Sequence, residues 1–140
     1  VTGRGELIAA HNAYHGSTHG ALSLLGAEQQ KKAYRPLLPG VQFVKFNDAD
    51  DLHKITTKTA AVLLETIQGG AGFILPQNNY LKKVKERCAA VGALLILDEI
   101  QPGFGRTGRF FGFEHFNVKP DIVVIGKGMG GGMPVGAFTA

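Results

Sequence analysis

Short apolar runs recur along the chain, separated by polar or glycine-rich segments. In each run most apolar residues are consecutive rather than alternating, which is typical of strands that are buried on both faces of a parallel sheet. The runs predict six strands, at Leu7–Ala10, Val41–Phe46, Ala60–Glu65, Leu94–Asp98, Ile122–Ile125 and Val135–Thr139.

Helical periodicity is clearest between the third and fourth of these strands. Apolar residues recur there at the spacing of one helical face, and Gly92 supplies a stop. The predicted helices are Thr18–Leu25, Ala49–Ile55 and Asn79–Val91. The alternation of strands and helices predicts an α/β fold of three layers, a mostly parallel sheet with helices on both faces and right-handed crossovers.

The composition argues against several classes of protein. No apolar stretch approaches the roughly 20 residues that span a bilayer, so no membrane partner is predicted. The 15 lysines and arginines are scattered, which argues against a nucleic-acid partner. The single cysteine, Cys88, excludes an internal disulfide, and no signal-peptide pattern is present. These features favour a cytoplasmic protein.

Polar and glycine-rich segments follow several of the predicted strands. Open α/β sheets bind their ligands at the carboxyl ends of the strands, so these segments are expected to form the functional site. They are HNAYHGSTHG, ETIQGGAG, DEIQPGFGRTG and GKGMGGGMP.

Lys127 and Asp98 stand at two of these strand ends and suggest a Schiff-base cofactor site. Glycines flank Lys127 and leave its amine unshielded, so it can serve as a nucleophile. A buried carboxylate needs a cationic partner, and a protonated pyridine nitrogen is one for Asp98. The alternatives are a surface lysine in a flexible loop, and an aspartate that caps a helix or pairs with Arg106 or Arg109.

Two other patterns point to chemistries that their context disfavours. Gly126, Gly128 and Gly131 match the G-x-G-x-x-G pattern of dinucleotide-binding folds, but a strand is predicted after them where a helix should begin. Three histidines, spaced four residues apart, resemble metal ligands on one helical face. Gly16 interrupts that helix and no acid or cysteine lies nearby, so no metal is predicted. The histidines are His11, His15 and His19.

Aromatic residues are concentrated in two of the site segments. Tyr14, close to Gly16, either stacks on a planar ligand or packs as a half-buried aromatic. The stretch after Gln101 carries more aromatic surface than a free loop and forms either a satellite core or an interface. Its members are Phe104, Phe110, Phe111, Phe113 and Phe116.

Three long motifs resemble the class III aminotransferases that depend on pyridoxal phosphate, most closely the acetylornithine and ornithine aminotransferases. The motifs follow one another in the expected order and cover nearly the whole chain. They are AYHGSTHGALS, LDEIQPGFGRTGRFF and PDIVVIGKGMGGGMPVGA.

The resemblance implies a role for each matching residue. Lys127 would form the Schiff base with the cofactor and later move protons at the substrate carbon. Asp98 would pair with the pyridine nitrogen and keep it protonated. The remaining cofactor-binding residues would stack on the two ring faces, lie near the ring hydroxyl and place an acid beside the ring. In that order they are Tyr14 with Ile100, Gln101 and Glu65. His15 belongs to the stacking loop and is assigned no chemistry.

The resemblance also implies how the chain is organised. Residues 1–140 would be the central part of the large cofactor-binding domain, with an N-terminal segment and a C-terminal small domain absent. The family members are homodimers with the active site at the subunit interface. Because phosphate contacts lie outside these residues, we expect the isolated segment to be inactive.

Two positions depart from the acetylornithine and ornithine pattern. Ser17 stands where those enzymes carry an arginine for a substrate carboxylate, and Gly70 stands where many carry a glutamate. The expected reaction is therefore amino transfer from an ornithine-like or other ω-amino substrate to a 2-oxo acid. An aminomutase, racemase or decarboxylase with the same cofactor is the alternative.

Overall fold

The computed structural model of the protein describes residues 2–140. These residues contain a mixed sheet of six strands. The strands lie in the order β2-β1-β3-β4-β5-β6. The first five run parallel, and β6 pairs antiparallel with β5. Their bounds are β1 Glu6–Ala10, β2 Val41–Val44, β3 Thr59–Glu65, β4 Leu94–Asp98, β5 Ile122–Gly126 and β6 Gly136–Thr139. The predicted α/β fold with a mostly parallel sheet is confirmed.

The strand order contains a reversal that locates a crevice. From β1 the chain adds β2 on one side and then β3 on the other, so the connections leave β1 and β3 in opposite directions. Open sheets bind ligands at the carboxyl ends of strands beside such a reversal. The end of β1 and the end of β3 are therefore the expected borders of a site.

The main core lies between the sheet and the helix α3, Tyr80–Val91. Its buried side chains, among them Leu81, Val84 and Cys88, pack against alternate residues of the central strands. Full burial of one such aliphatic side chain contributes about 1.5–3 kcal/mol. Burial also raises the pKa of the Cys88 thiol to about 12, so this cysteine is a core residue.

The smaller helices differ from the sequence prediction. The segment predicted over Thr18–Leu25 forms α1 only over His19–Ser23, and α2, Glu28–Lys31, was not predicted. The segment predicted as the helix Ala49–Ile55 is a 3₁₀ helix over Asp50–Lys54. Other 3₁₀ helices cover Lys32–Tyr34, Gly112–Phe116 and Lys127–Gly130. None of the helices in residues 2–140 is long and apolar enough to cross a membrane.

Arg4 ties the first residues of the chain to the end of α3. Its Nη1 donates to the carbonyl oxygens of Val91 at 2.8 Å and Gly92 at 2.9 Å, and to that of Thr59 at 3.1 Å. The last carbonyls of a helix have no partner within the helix, so a cation placed there satisfies them. Arg4 thus joins the start of β3 to the C-terminus of α3.

Replacing Arg4 with alanine is expected to lower the free energy of unfolding by about 1–3 kcal/mol, because the carbonyl oxygens lose a charged donor. Denaturant unfolding measures this loss. Arg109→Ala is the matched control, since Arg109 is exposed and its side chain makes no hydrogen bond within residues 2–140. An equal loss in the control would contradict the capping role of Arg4.

Candidate active site

The loops that leave the carboxyl ends of β1, β3, β4 and β5 surround a cavity of about 290 Å³. It brings together every side chain that the sequence placed around the cofactor. The lining residues are Tyr14, His15, Gly16, Glu65, Gly70, Asp98, Ile100, Gln101, Pro102 and Lys127. Ser17, the other predicted substrate residue, is not part of this lining.

Asp98 ends β4 and is almost fully buried, with 5% of its surface exposed. Its Oδ1 accepts the backbone N–H of Ile100 at 3.0 Å. Its Oδ2 lies 2.9 Å from Nδ1 of His15. The salt bridge with Arg106 or Arg109 that the sequence left open is not formed in residues 2–140, since the partner of Asp98 is His15.

His15 lies in the site, although the sequence assigned it no chemistry beyond a place in the stacking loop. Its side chain is 2% exposed, and its Nε2 is buried without a hydrogen-bond partner among the described residues. The hydrogen bond from Nδ1 to Asp98 fixes the ring orientation. The one available signal was its position in the loop after β1, next to the strand-order reversal. This position alone does not show that His15 contacts Asp98, which lies 83 residues further along the chain.

Lys127 is the first residue after β5 and has an unusual backbone. Its φ is 44°, in the left-handed region that costs a non-glycine residue free energy and that clusters at functional sites. Its Nζ donates to Oε1 of Gln101 at 2.8 Å. On its C-terminal side, a Cβ at Gly128 would lie 3.2 Å from Cβ of Phe104, so glycine gives the loop room to pack.

Glu65 ends β3 and joins two of the loops. Its Oε2 accepts the backbone N–H of Tyr14 at 3.1 Å, and its Oε1 accepts that of Gly69 at 3.1 Å. Burial raises the pKa of this carboxyl group, although both hydrogen bonds favour its charged form. The Tyr14 side chain itself is 51% exposed, so its ring borders the cavity with an open face.

Glu99 is a second buried carboxylate, but it serves a different segment. Its side chain accepts the backbone N–H groups of Gly112 at 2.8 Å and Phe113 at 2.9 Å, and the hydroxyl of Thr66 at 2.5 Å. These contacts hold the aromatic segment against the end of β4. The segment packs on itself, with ring centroids of Phe110 and Phe111 4.8 Å apart.

A second, larger cavity of about 590 Å³ adjoins the first. Gln101, Pro102 and Lys127 line both cavities. The remaining lining is mostly apolar and consists of Ile67, Gly69, Phe73, Leu75, Arg106 and Thr107. The Lys127 side chain is therefore accessible from two separate spaces.

The disfavoured chemistries find no support in the described residues. The 3₁₀ helix of Lys127–Gly130 and then β6 follow Gly126, so an α-helix does not begin among the described residues where a dinucleotide phosphate would bind. Residues 2–140 contain no group of three His, Cys, Asp or Glu side chains arranged to hold a metal ion. His11 instead packs against the ring of Phe43, with centroids 5.6 Å apart.

Comparison with known proteins identifies the family. The sequence profile described as aminotransferase class-III matches residues 1–140. The chain is 48% identical over 136 residues to the acetylornithine aminotransferase of Clostridium acetobutylicum, covering 96% of this chain and 35% of that enzyme. It is 46% identical over 135 residues to the [LysW]-aminoadipate semialdehyde/glutamate semialdehyde transaminase of Sulfolobus acidocaldarius, with 96% and 35% covered.

The solved structures agree with the sequence comparison. The ornithine aminotransferase of Toxoplasma gondii superposes with a TM-score of 0.90 at 33% identity, over 97% of this chain and 32% of that one. The chain therefore belongs to the class-III aminotransferases, as its motifs predicted. It spans about a third of the length of the relatives that it matches.

The Glu99→Gln variant tests the buried carboxylate that supports the aromatic segment. Burial raises the pKa of Glu99, so its contribution to stability is full below about pH 4.5 and is lost as the pH rises through the raised value. Glutamine does not titrate and turns an amide N–H toward a backbone donor, so the variant is expected to be less stable.

The stability deficit of this variant should be largest at low pH and should shrink as the pH rises. Denaturant unfolding from about pH 4 to about pH 8 measures the difference in unfolding free energy between the two proteins. A deficit that grows with pH would show that the burial of Glu99 does not raise its pKa.

Proposed function

We propose that the protein carrying this chain is an aminotransferase that depends on pyridoxal 5′-phosphate. It would transfer an amino group from an ornithine-like or other ω-amino substrate to a 2-oxo acid. The observation that carries the proposal is the cavity that the Lys127 amine and the Asp98 carboxylate both line, in a chain of the class-III family.

The residues around the smaller cavity fit the chemistry of this cofactor. An amine is available for its aldehyde, a buried carboxylate for its pyridine nitrogen, and the side chains of Tyr14 and Ile100 for its ring faces. The bound cofactor supplies an electron sink for the carbon that carries the amino group. The remaining steps would be carried out by side chains of this chain.

Asp98 would hold the proton on the pyridine nitrogen, because a buried negative charge stabilises a neighbouring cation. His15 would keep the Asp98 carboxylate in place through the contact at 2.9 Å. Lys127 would act first as the amine that anchors the cofactor and then as the base that moves a proton at the substrate carbon. Gln101 would hold this amine while it carries the proton.

The substrate class is argued from the relatives and from two positions of this chain. The relatives are named for acetylornithine and for semialdehydes of aminoadipate and glutamate, which makes an ω-amino substrate the reasonable proposal. A Cβ at Gly70 would lie 3.6 Å from Cβ of Tyr14, which is ordinary contact, so space rather than a charged group is present there. Ser17 likewise provides no cation for a substrate carboxylate.

A homodimer and a cytoplasmic location stay predictions for the whole protein. The exposed apolar side chains near the site favour an interface, since isolated subunits rarely expose several large ones together. Among them, Phe73 is 68% exposed and Phe110 is 58% exposed.

The Lys127→Ala variant is the direct test of the proposed function. It should lose both the visible absorption of bound cofactor and the conversion of amine donors to carbonyl products, because no other amine of residues 2–140 lines the smaller cavity. Lys119→Ala is the control, since Lys119 is exposed and lies outside both cavities. Retention of the absorption band and of amino transfer by Lys127→Ala would overturn the proposal.

The Asp98→Asn variant tests the role of the buried charge. It keeps the size of the side chain but removes the negative charge, so we expect amino transfer to slow about a hundredfold or more. Single-turnover kinetics with an amine donor measure the slowing, and absorption spectra check that cofactor remains bound. Asp121→Asn is the control, because Asp121 bonds Lys85 and the backbone of Leu95 outside the site. Equal slowing there would contradict a direct role for Asp98.

A further inference from the structure

We propose that Glu65 and Gly69 are positioning residues for the Lys127 amine, which they place by fixing the Gln101 side chain. This inference rests on the proposed function, in which Lys127 is the reactive amine. Within residues 2–140 neither Glu65 nor Gly69 forms a hydrogen bond or an ion pair with that amine, so both would act through Gln101. A chain of contacts leads from the end of β3 to the end of β5.

The first contact fixes the backbone at Gly69. The Gly69 N–H donates to Oε1 of Glu65 at 3.1 Å, and Glu65 is only 7% exposed. The neighbouring residue Gln68 exchanges two backbone hydrogen bonds with Ile74, each 3.0 Å long. The carbonyl oxygen of Gly69 also accepts the N–H of Gly72 at 3.1 Å. The loop of residues 68–74 is thus closed on itself and attached to a buried carboxylate.

The second contact places the Gln101 amide group on Gly69. A Cβ added to Gly69 would lie 2.8 Å from Nε2 and 3.1 Å from Cδ of Gln101, closer than side chains pack. The φ of Gly69 is not positive, so the backbone conformation alone would allow a residue with a side chain at this position. The glycine therefore leaves a space next to its backbone, and the Gln101 amide occupies this space.

The third contact reaches the amine. Oε1 of Gln101 accepts a hydrogen bond from Nζ of Lys127 at 2.8 Å. A methyl group at position 69 would displace the end of the flexible Gln101 side chain rather than any backbone. Lys127 would then lose its only described hydrogen-bond acceptor, while the strand that carries it would stay in place.

Glu65 extends the same arrangement to the cofactor ring. Its second oxygen accepts the N–H of Tyr14, so one carboxylate sets the positions of the stacking residue and of Gly69 together. Glu65 thereby keeps the ring-stacking side chain and the Lys127 amine in one fixed geometry.

The experiment follows the capture of pyridoxal phosphate by the cofactor-free protein, using stopped-flow absorption. We expect Gly69→Ala to slow capture about tenfold or more, because misplacement of a reacting group by about 1 Å costs up to a hundredfold in rate. Gly5→Ala is the matched control, since no atom of the described residues lies within 4 Å of a Cβ there and the backbone φ is not positive. Capture by Gly69→Ala at the rate of the parent protein would overturn the proposal.

A second comparison separates positioning from general stability. Glu65→Gln and Glu99→Gln make the same change in two buried carboxylates that each accept two backbone N–H groups. Both variants should lose stability in denaturant unfolding, but only Glu65→Gln should slow capture. If Glu99→Gln slowed cofactor capture as much as Glu65→Gln does, the loss of stability alone would explain the slower capture. That result would contradict the proposal.

A double-mutant cycle tests the route through Gln101. Gly69→Ala should have no further effect on capture in a Gln101→Ala background, because the displaced side chain is already absent. Additive slowing in the double variant would overturn the proposed route. Failure of the parent protein to capture cofactor through Lys127 would instead refute the proposed function, so the two outcomes are distinguishable.

Discussion

The register of the parallel strands places two buried carboxylates side by side, and the organisation of the site follows from this constraint. Glu65 of β3 is the register partner of Asp98 of β4, so both side chains emerge from the same face at the same edge. Burial is the main cause of the raised pKa of Glu65, and the neighbouring Asp98 adds to it. Each therefore needs its own partners, and those partners come from the loops around the cavity.

The partners differ in kind, and so do their consequences. Asp98 contacts His15, a side chain that can carry a proton, whereas Glu65 accepts two backbone N–H groups that cannot titrate. Both arrangements draw the loop after β1 across the end of β3. The adjacent Glu99 is also buried, but its carboxylate accepts N–H groups of the aromatic segment, Phe104 to Phe116. The acids at the strand ends therefore serve two purposes, since some line the cavity and Glu99 holds a neighbouring segment in place.

Much of the fold could be predicted from the sequence, because consecutive apolar residues report directly on buried parallel strands. The same reasoning placed the candidate site, since polar residues directly after those strands must meet at one edge. The short helices were harder to predict. The segment around Leu52 has only a few residues before Ile55 must enter the core, and the Asp48 side chain accepts backbone N–H groups at its start, so a 3₁₀ turn forms.

The contact between His15 and Asp98 could not be predicted in this way. Neighbouring residues do not encode which side chains meet across 83 positions, and the spacing of the histidines pointed instead to a metal that the surrounding residues disfavoured. The roles of the individual site residues stay predictions, although the cavity brings nearly all of them together. Gly69 shows the same limit, because its importance depends on a side chain from another strand end.

Because Lys127 lines two cavities, a molecule can approach this residue from either of them. Lys127, Gln101 and Pro102 line both the smaller cavity and the larger, mostly apolar one. A molecule in the larger cavity can reach the amine without crossing the smaller one. In the proposed enzyme, a substrate could therefore enter through one cavity while the cofactor ring stays in the other.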